Sequence, residues 1–163
     1  MAERIVFHID VNSAFLSWTA AHRMCVLGDG FDQRTVPSAV AGDKKSRHSI
    51  ILAKSGPAKK FGIQTGEPLG KAMEKCPNLV VVEPDYELYV TASRSLIAML
   101  REYSPLVEQF SIDEAWMDMT GTAGLFGPPV LAAEQLKDGA ALDAILKVHV
   151  GSRDGSRSRC GTR

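Results

Sequence analysis

SIDEAWMD at residues 111–118 sets an adjacent acidic pair, Asp113-Glu114, between two strand-like runs at 106–112 and 115–119. Successive side chains of an extended segment point to opposite faces, so these two carboxylates meet only if the chain bends there. A third carboxylate, Asp10, closes another strand-like run, RIVFHID at 4–10, inside the stretch FHIDVNSAF at 7–15. Magnesium prefers hard oxygen ligands and typically takes one or two carboxylates plus waters and substrate phosphate. Two such ions about 3.5–4 Å apart can activate an attacking hydroxyl and stabilise a leaving oxygen. Three carboxylates on two neighbouring strands suit that chemistry. Spacing alone makes a weak pattern, because a lone Asp at a strand end is ordinarily a turn residue and an Asp-Glu pair ordinarily solvated surface.

Outward from these stretches, Asn12 or Ser13 is placed to cap a helix on which Phe15, Trp18, His22 and Cys25 recur at helical spacing. A turn-rich loop follows at 27–33, then strands at 36–41 and 49–54 separated by a charged loop at 42–48. Short helices are expected at 57–61, ended by Gly62, and from Pro68 to before Pro77. Residues 79–82 read as a buried strand. The clearest helix spans 85–103, with Tyr89, Ala92, Leu96, Met99 and Tyr103 as its inner stripe, and a last helix covers 130–137. This order predicts an α+β domain, a ferredoxin-like βαββαβ core with an insertion after the first helix.

The 163 residues suffice for one domain with a real core. A 45% hydrophobic and 23% charged composition excludes a disordered chain. Net charge is zero but uneven: residues 1–138 hold 14 Lys/Arg against 17 Asp/Glu (−3), and 139–163 hold 5 against 2 (+3). A broad basic footprint is therefore missing from the main body, and charge alone does not point to nucleic acid. Lys44, Lys45 and Arg47, beside His48, form its densest cationic cluster and are candidate DNA contacts, although such runs are ordinarily solvated loops. Cys25, Cys76 and Cys160 are widely spaced and lack any CxxC pattern, so free thiols are expected. MAERIVFHID reads neither as a signal peptide nor as a membrane span, which predicts a cytoplasmic protein with no membrane partner. Residues 139–163, rich in Gly, Ser and Arg, show no apolar periodicity and read as a disordered tail.

FHIDVNSAF and SIDEAWMD resemble the two signature segments of the Y-family (translesion, UmuC/DinB-type) DNA polymerase palm. PSAVAGD (37–43), SIILAKSGPAKKFGIQTGEPL (49–69), CPNLVVVEPDY (76–86) and YSPLVEQ (103–109) resemble the intervening family pattern, in order. The resemblance covers residues 4–138 and implies a polymerase palm with a small fingers insertion, incomplete at its C-terminus. The pattern is lost in 139–163, which suggests a truncation or change of reading frame near 138.

The resemblance further implies that Asp10, Asp113 and Glu114, with the main-chain carbonyl of Val11, bind two Mg²⁺ ions. It implies nucleotidyl transfer, in which a primer 3′-hydroxyl attacks the α-phosphate of a deoxynucleoside triphosphate. Error-prone synthesis in DNA repair and the SOS response to DNA damage would be the setting. Primer-template DNA and dNTP are the implied partners, with a sliding clamp reached through parts beyond this chain. Phe15 matches the family's steric gate against a ribose 2′-hydroxyl, its alternative being the first core residue of its helix. Backbone N–H groups of Asn12, Ser13, Ala14 and Phe15 would cradle triphosphate oxygens. Lys59 stands where the family usually has Arg, so phosphate would meet a point charge instead of a bidentate fork. Gly56 stands in place of a usual Tyr, and Ala53 where many members carry a hydroxyl. These departures keep open a second reading, a catalytically inactive remnant or interaction module that retains the fold. A nucleotide cyclase on a related palm is a third, against which the SIDEA word speaks.

Overall fold

The computed structural model describes residues 4–42, 49–139, 146–152 and 157–159. The chain divides into two compact units, residues 1–12 together with 90–163, and residues 13–89.

The first unit is built on a sheet of strands β1 (Ile5–Val11), β5 (Val107–Gln109), β6 (Glu114–Asp118), β7 (Leu146–Ser152) and β8 (Arg157–Arg159). Its order is β5-β6-β1-β7-β8, and each neighbouring pair is antiparallel. β1 alternates strictly. Phe7, Ile9 and Val11 are buried, while Val6, His8 and Asp10 are half-buried on the other face. Ala115 and Met117 of β6 share the buried face. Helix α4 (Tyr86–Tyr103) turns Ser93, Leu96, Ile97 and Leu100 inward, and α6 (Pro129–Gly139) buries Ala132, Ala133 and Leu136. The order β1, α4, β5-β6, α6, β7 is the ferredoxin-like βαββαβ arrangement expected from the sequence.

The tail and the start of the insertion need correction here. The patternless tail is wrong for residues 146–152 and 157–159, which form β7 and β8; β7 runs the full length of β1, from Ile5↔Ser152 to Val11↔Leu146. The physical reason lies in LKVHV at 146–150, where Leu146, Val148 and Val150 alternate with Lys147 and His149, a period-2 run hidden by the Ser/Gly/Arg composition around it. The insertion also begins one element earlier than expected. Helix α1 (Ala14–Cys25) belongs to the second unit, and α4 is the crossover helix of the core.

The second unit holds a three-stranded sheet, β3-β2-β4, from β2 (Ser38–Ala41), β3 (Ile51–Lys54) and β4 (Val80–Val82), with β2 antiparallel to β3 and parallel to β4. Ala39, Ala41 and Ile51 pack with Ala58 of α2 (Gly56–Lys60), with Leu69 and Ala72 of α3 (Leu69–Lys75), and with Ile63, Cys76 and Leu79. On the opposite face Val40 and Ala53 meet Leu16 of α1. Buried Ser55 ties this unit together: its Oγ accepts from Ser38 N–H (3.0 Å) and Ala58 N–H (3.1 Å) and donates to the Val36 carbonyl (2.7 Å). The expected helical stripe of α1 holds only at Trp18; His22 is half-buried and Cys25 exposed, because Leu16, Ser17, Thr19 and Ala20 take the interior. A 3₁₀ turn (Gln33–Thr35) and a short helix α5 (Ala123–Phe126) were not anticipated.

Candidate active site

Register places the first carboxylates together. On the half-exposed face of the first unit's sheet, Asp10 of β1 lies directly opposite Glu114 of β6, and His8 opposite Trp116. The bend required at the acidic pair is present. Phe110 N–H and Ser111 N–H both donate to the Glu114 carbonyl (3.0 and 3.1 Å), closing β5 onto β6 as a tight hairpin. Val11 N–H donates to the Asp113 carbonyl (3.0 Å), splicing the bend onto the end of β1. This turn is why β5 stops at Gln109 and does not run on to residue 112.

Ser111 sits between the two acids. Its hydroxyl lies 2.8 Å from Asp113 Oδ1 and 3.4 Å from Glu114 Oε2, and its single proton goes to the nearer oxygen. His8 Nε2 stands 4.0 Å from Glu114 Oε1, and its ring lies against Trp116 with centroids 4.3 Å apart. Among the described residues no three His, Cys, Asp or Glu side chains are drawn together closely enough to enclose an ion. Like charges resist convergence without a cation between them. The oxygens therefore share one end of a sheet without forming a cage, and their hard chemistry suits a cation that keeps much of its water.

In the second unit, Ser13 precedes α1 in the left-handed region (φ 48°), the sole non-glycine residue there among the described residues. The expected cap is not made by this serine. Its hydroxyl donates instead to the Lys54 carbonyl (3.0 Å), so the Ser13 side chain makes no cap bond to α1. Phe15 is half-buried, packed beside Leu16, Val40 and Ala53, and stacked on Tyr89 at 4.6 Å and 24°. Thr19 Oγ1 donates to the Phe15 carbonyl (2.7 Å) and lies 3.0 Å from the Tyr89 hydroxyl. Since the threonine proton is already used, Tyr89 is the donor of that second bond. Ala53 is a core residue, and Lys59 and Lys60 are exposed in the last turn of α2. Lys44, Lys45 and Arg47 lie outside the described residues.

Ser111, His8 and Thr19 were missed by sequence reasoning. His8 stands two residues before Asp10 and Ser111 two before Asp113, so same-face counting along the strand would have flagged the first and the S-x-D spacing the second.

Residues 9–152 match the impB/mucB/samB family. The chain belongs to that family. Among impB/mucB/samB relatives, the DNA polymerase IV of Clostridium acetobutylicum is 51% identical over 117 residues, covering 72% of this chain and 29% of the relative. The DNA polymerase IV of Alkaliphilus oremlandii is 36% identical over 151 residues, covering 93% of the chain and 36% of the relative. The chain thus spans about a third of the length of these relatives. Its fold is that of DinB from Sulfolobus solfataricus, with a TM-score of 0.74 at 23% identity over 90% of this chain and 42% of that one. The insertion ternary complex of Dbh DNA polymerase aligns with a TM-score of 0.69 over the same shares. The family match continues through β7, past residue 138.

Proposed function

We propose that this chain is the carboxylate-bearing portion of a translesion DNA polymerase that joins a dNTP to a primer 3′-hydroxyl, with Asp10, Asp113 and Glu114 as the residues that hold two Mg²⁺ ions. The observation that carries the reading is the pairing of Asp10 with Glu114 while the Val11–Asp113 bond brings the third carboxylate to the same strand end. Carboxylates from both strands, with the Val11 carbonyl, supply hard oxygen donors, leaving the remaining positions to water and phosphate. The bound ions would supply Lewis-acid activation of the hydroxyl and neutralise charge on the phosphates.

The protein's own part is positioning. Ser111 orients Asp113, and the hairpin bonds to the Glu114 carbonyl fix the backbone beneath both acids. The start of α1, where the Ser13 side chain makes no cap bond, presents backbone amides of the kind that receive triphosphate oxygens. Phe15, clamped by Tyr89 at its ring and by Thr19 at its carbonyl, has the rigidity that a steric gate against ribose requires. Exposed Lys59 offers a point charge to the outer phosphates. Primer-template DNA and dNTP are the partners in this reading, and damage tolerance in the cytoplasm is the setting. Among the described residues no helix is long and apolar enough to cross a membrane.

The test places residues 4–119 in the C. acetobutylicum polymerase in place of its own segment and follows primer extension with Mg²⁺. Glu114→Gln or Asp113→Asn should lower the rate by at least ~10³, as loss of a main electrostatic contributor does. Near-normal extension by either variant sinks the assignment. A second reading, a fold kept for interaction without turnover, is favoured by the −3 charge of residues 1–138 and by Gly56 in place of the usual Tyr. An inactive chimera with intact folding would support it.

A further inference from the structure

The sheet face that carries Asp10 and Glu114 continues away from them, and its next residues are aromatic. One strand step on, about 6.6–6.8 Å, lie His8 and Trp116, and one step further Val6 and Asp118. Trp116 stays 42% exposed although its ring leans on His8 at 34°. An open groove of about 340 Å³ begins at its far side, lined by Arg4, Val6, Leu106, Glu108, Trp116 and Asp118.

We propose that the Trp116–His8 ring pair is a ledge for the DNA strand whose 3′ end is presented to Asp10, Asp113 and Glu114, taking a deoxyribose face on the indole. The proposal rests on the polymerase reading above. Two observations support it, and a general property of nucleotides agrees with it. The ledge lies one strand step from the reacting end, and nucleotides of a strand rise about 3.4 Å each along a duplex axis, so the second or third nucleotide from a 3′ end beside Glu114 falls over Trp116 if the strand runs along β6.

Charge then selects which part of the nucleotide touches. Glu108 pairs directly opposite Trp116, Glu114 and Asp118 flank it on the same face, and the Arg4 guanidinium is engaged by Asp118 at 3.3 Å. A phosphate is repelled from such a rim, whereas the uncharged face of a sugar is not. Finally, the deoxyribose is the same in every nucleotide, so the contact is indifferent to sequence, as an enzyme copying any template requires.

The experiment uses the chain as it is. A 3′-recessed primer-template duplex is titrated in without dNTP, binding is read by anisotropy of labelled DNA, and tryptophan emission is read under acrylamide quenching. Trp18 is buried, so quenching reports mainly on Trp116. Bound DNA is expected to shield Trp116 from acrylamide. Trp116→Ala should weaken binding about fivefold or more through the apolar contact it loses, with Trp116→Phe within a few-fold of the parent. The salt dependence of binding should be the same in all three, because an apolar contact releases no counterions. Unchanged affinity in Trp116→Ala, or unchanged quenching at saturating DNA, overturns the ledge while leaving the polymerase reading intact. No DNA binding by the parent chain overturns the ledge as well, and the chimera's Glu114→Gln rate judges the polymerase reading separately. If Trp116→Ala fails to fold, the parent's quenching and Trp116→Phe decide alone.

Discussion

Replacing Tyr89 with Phe removes one hydroxyl from a side chain that is 0% exposed. In the native fold that hydroxyl donates to Thr19 Oγ1, which in turn donates to the Phe15 carbonyl. The threonine keeps its own donated bond in the variant, so no buried donor is stranded, and the cost should be that of one net hydrogen bond, about 0.5–1.5 kcal/mol. Tyr89→Leu takes away the ring stacked on Phe15 as well and should cost about 2–4 kcal/mol, near the lower part of the range for truncated buried aromatics. The stacking itself is isolated by a double-mutant cycle of Tyr89→Leu with Phe15→Leu. Aromatic pairs contribute about 0.5–1.5 kcal/mol beyond area burial, so the coupling should fall in that window. Urea unfolding of the four proteins measures it. A coupling near zero would refute the view that Tyr89 holds the Phe15 ring, and with it the rigidity proposed for a gate at Phe15. In the chimera, a looser Phe15 should also admit ribonucleotides more readily in Tyr89→Leu than in Tyr89→Phe.

Ser111→Ala removes the donor to Asp113 and should raise the Mg²⁺ concentration for half-maximal extension by about tenfold, read from metal titrations of the chimera. Ser55→Ala leaves the buried Ser38 and Ala58 amides without their acceptor and strips the N-cap of α2; a loss of about 2–4 kcal/mol is expected in denaturant unfolding. The Arg34 guanidinium, hydrogen-bonded to Asp32, holds that carboxyl below its ordinary value of 3.8, and hydrogen bonds from Thr120 do the same for Asp118. A depressed folded value means stability that is present above about 3.8 and lost as pH falls through the lower folded values. Asp32→Asn should therefore flatten the decline of the unfolding midpoint below pH ~4, and an unchanged slope would count against this ion pair.

That Asp10 and Asp113-Glu114 would share one strand end was legible because both halves sit inside distinctive runs of sequence, and because a bend at Asp113-Glu114 was the condition under which adjacent side chains could converge. Register was beyond reach. Nothing local says that Asp10 faces Glu114 and not Ala115, since pairing is settled by the buried alternation of Phe7, Ile9 and Val11 against Ala115 and Met117. Ser13 looked like a cap from its residue type, yet tertiary context gave its hydroxyl a better acceptor in Lys54, 41 positions away. β7 was lost to composition. Arg, Ser and Gly dominate residues 151–163 and obscured a five-residue alternation that needed only a neighbouring strand to become structure. The α1 stripe failed for a related reason: helical spacing predicts one inner face, but the first turns of α1 are enclosed on nearly every side.

The hairpin and β1 are zipped together inside one unit, while residues 13–89 depart from the end of β1 and return through α4. That intervening stretch behaves as a cassette. Its length, loops and charges can drift without shifting the Asp10–Glu114 register by a single residue, because no hydrogen bond of the β1–β6 ladder comes from it. Changes at positions such as Gly56 and Lys59 can accumulate there while the placement of the three acids stays as it was. Variation in the inserted unit and constancy of the acid geometry are thereby assigned to separate parts of the chain.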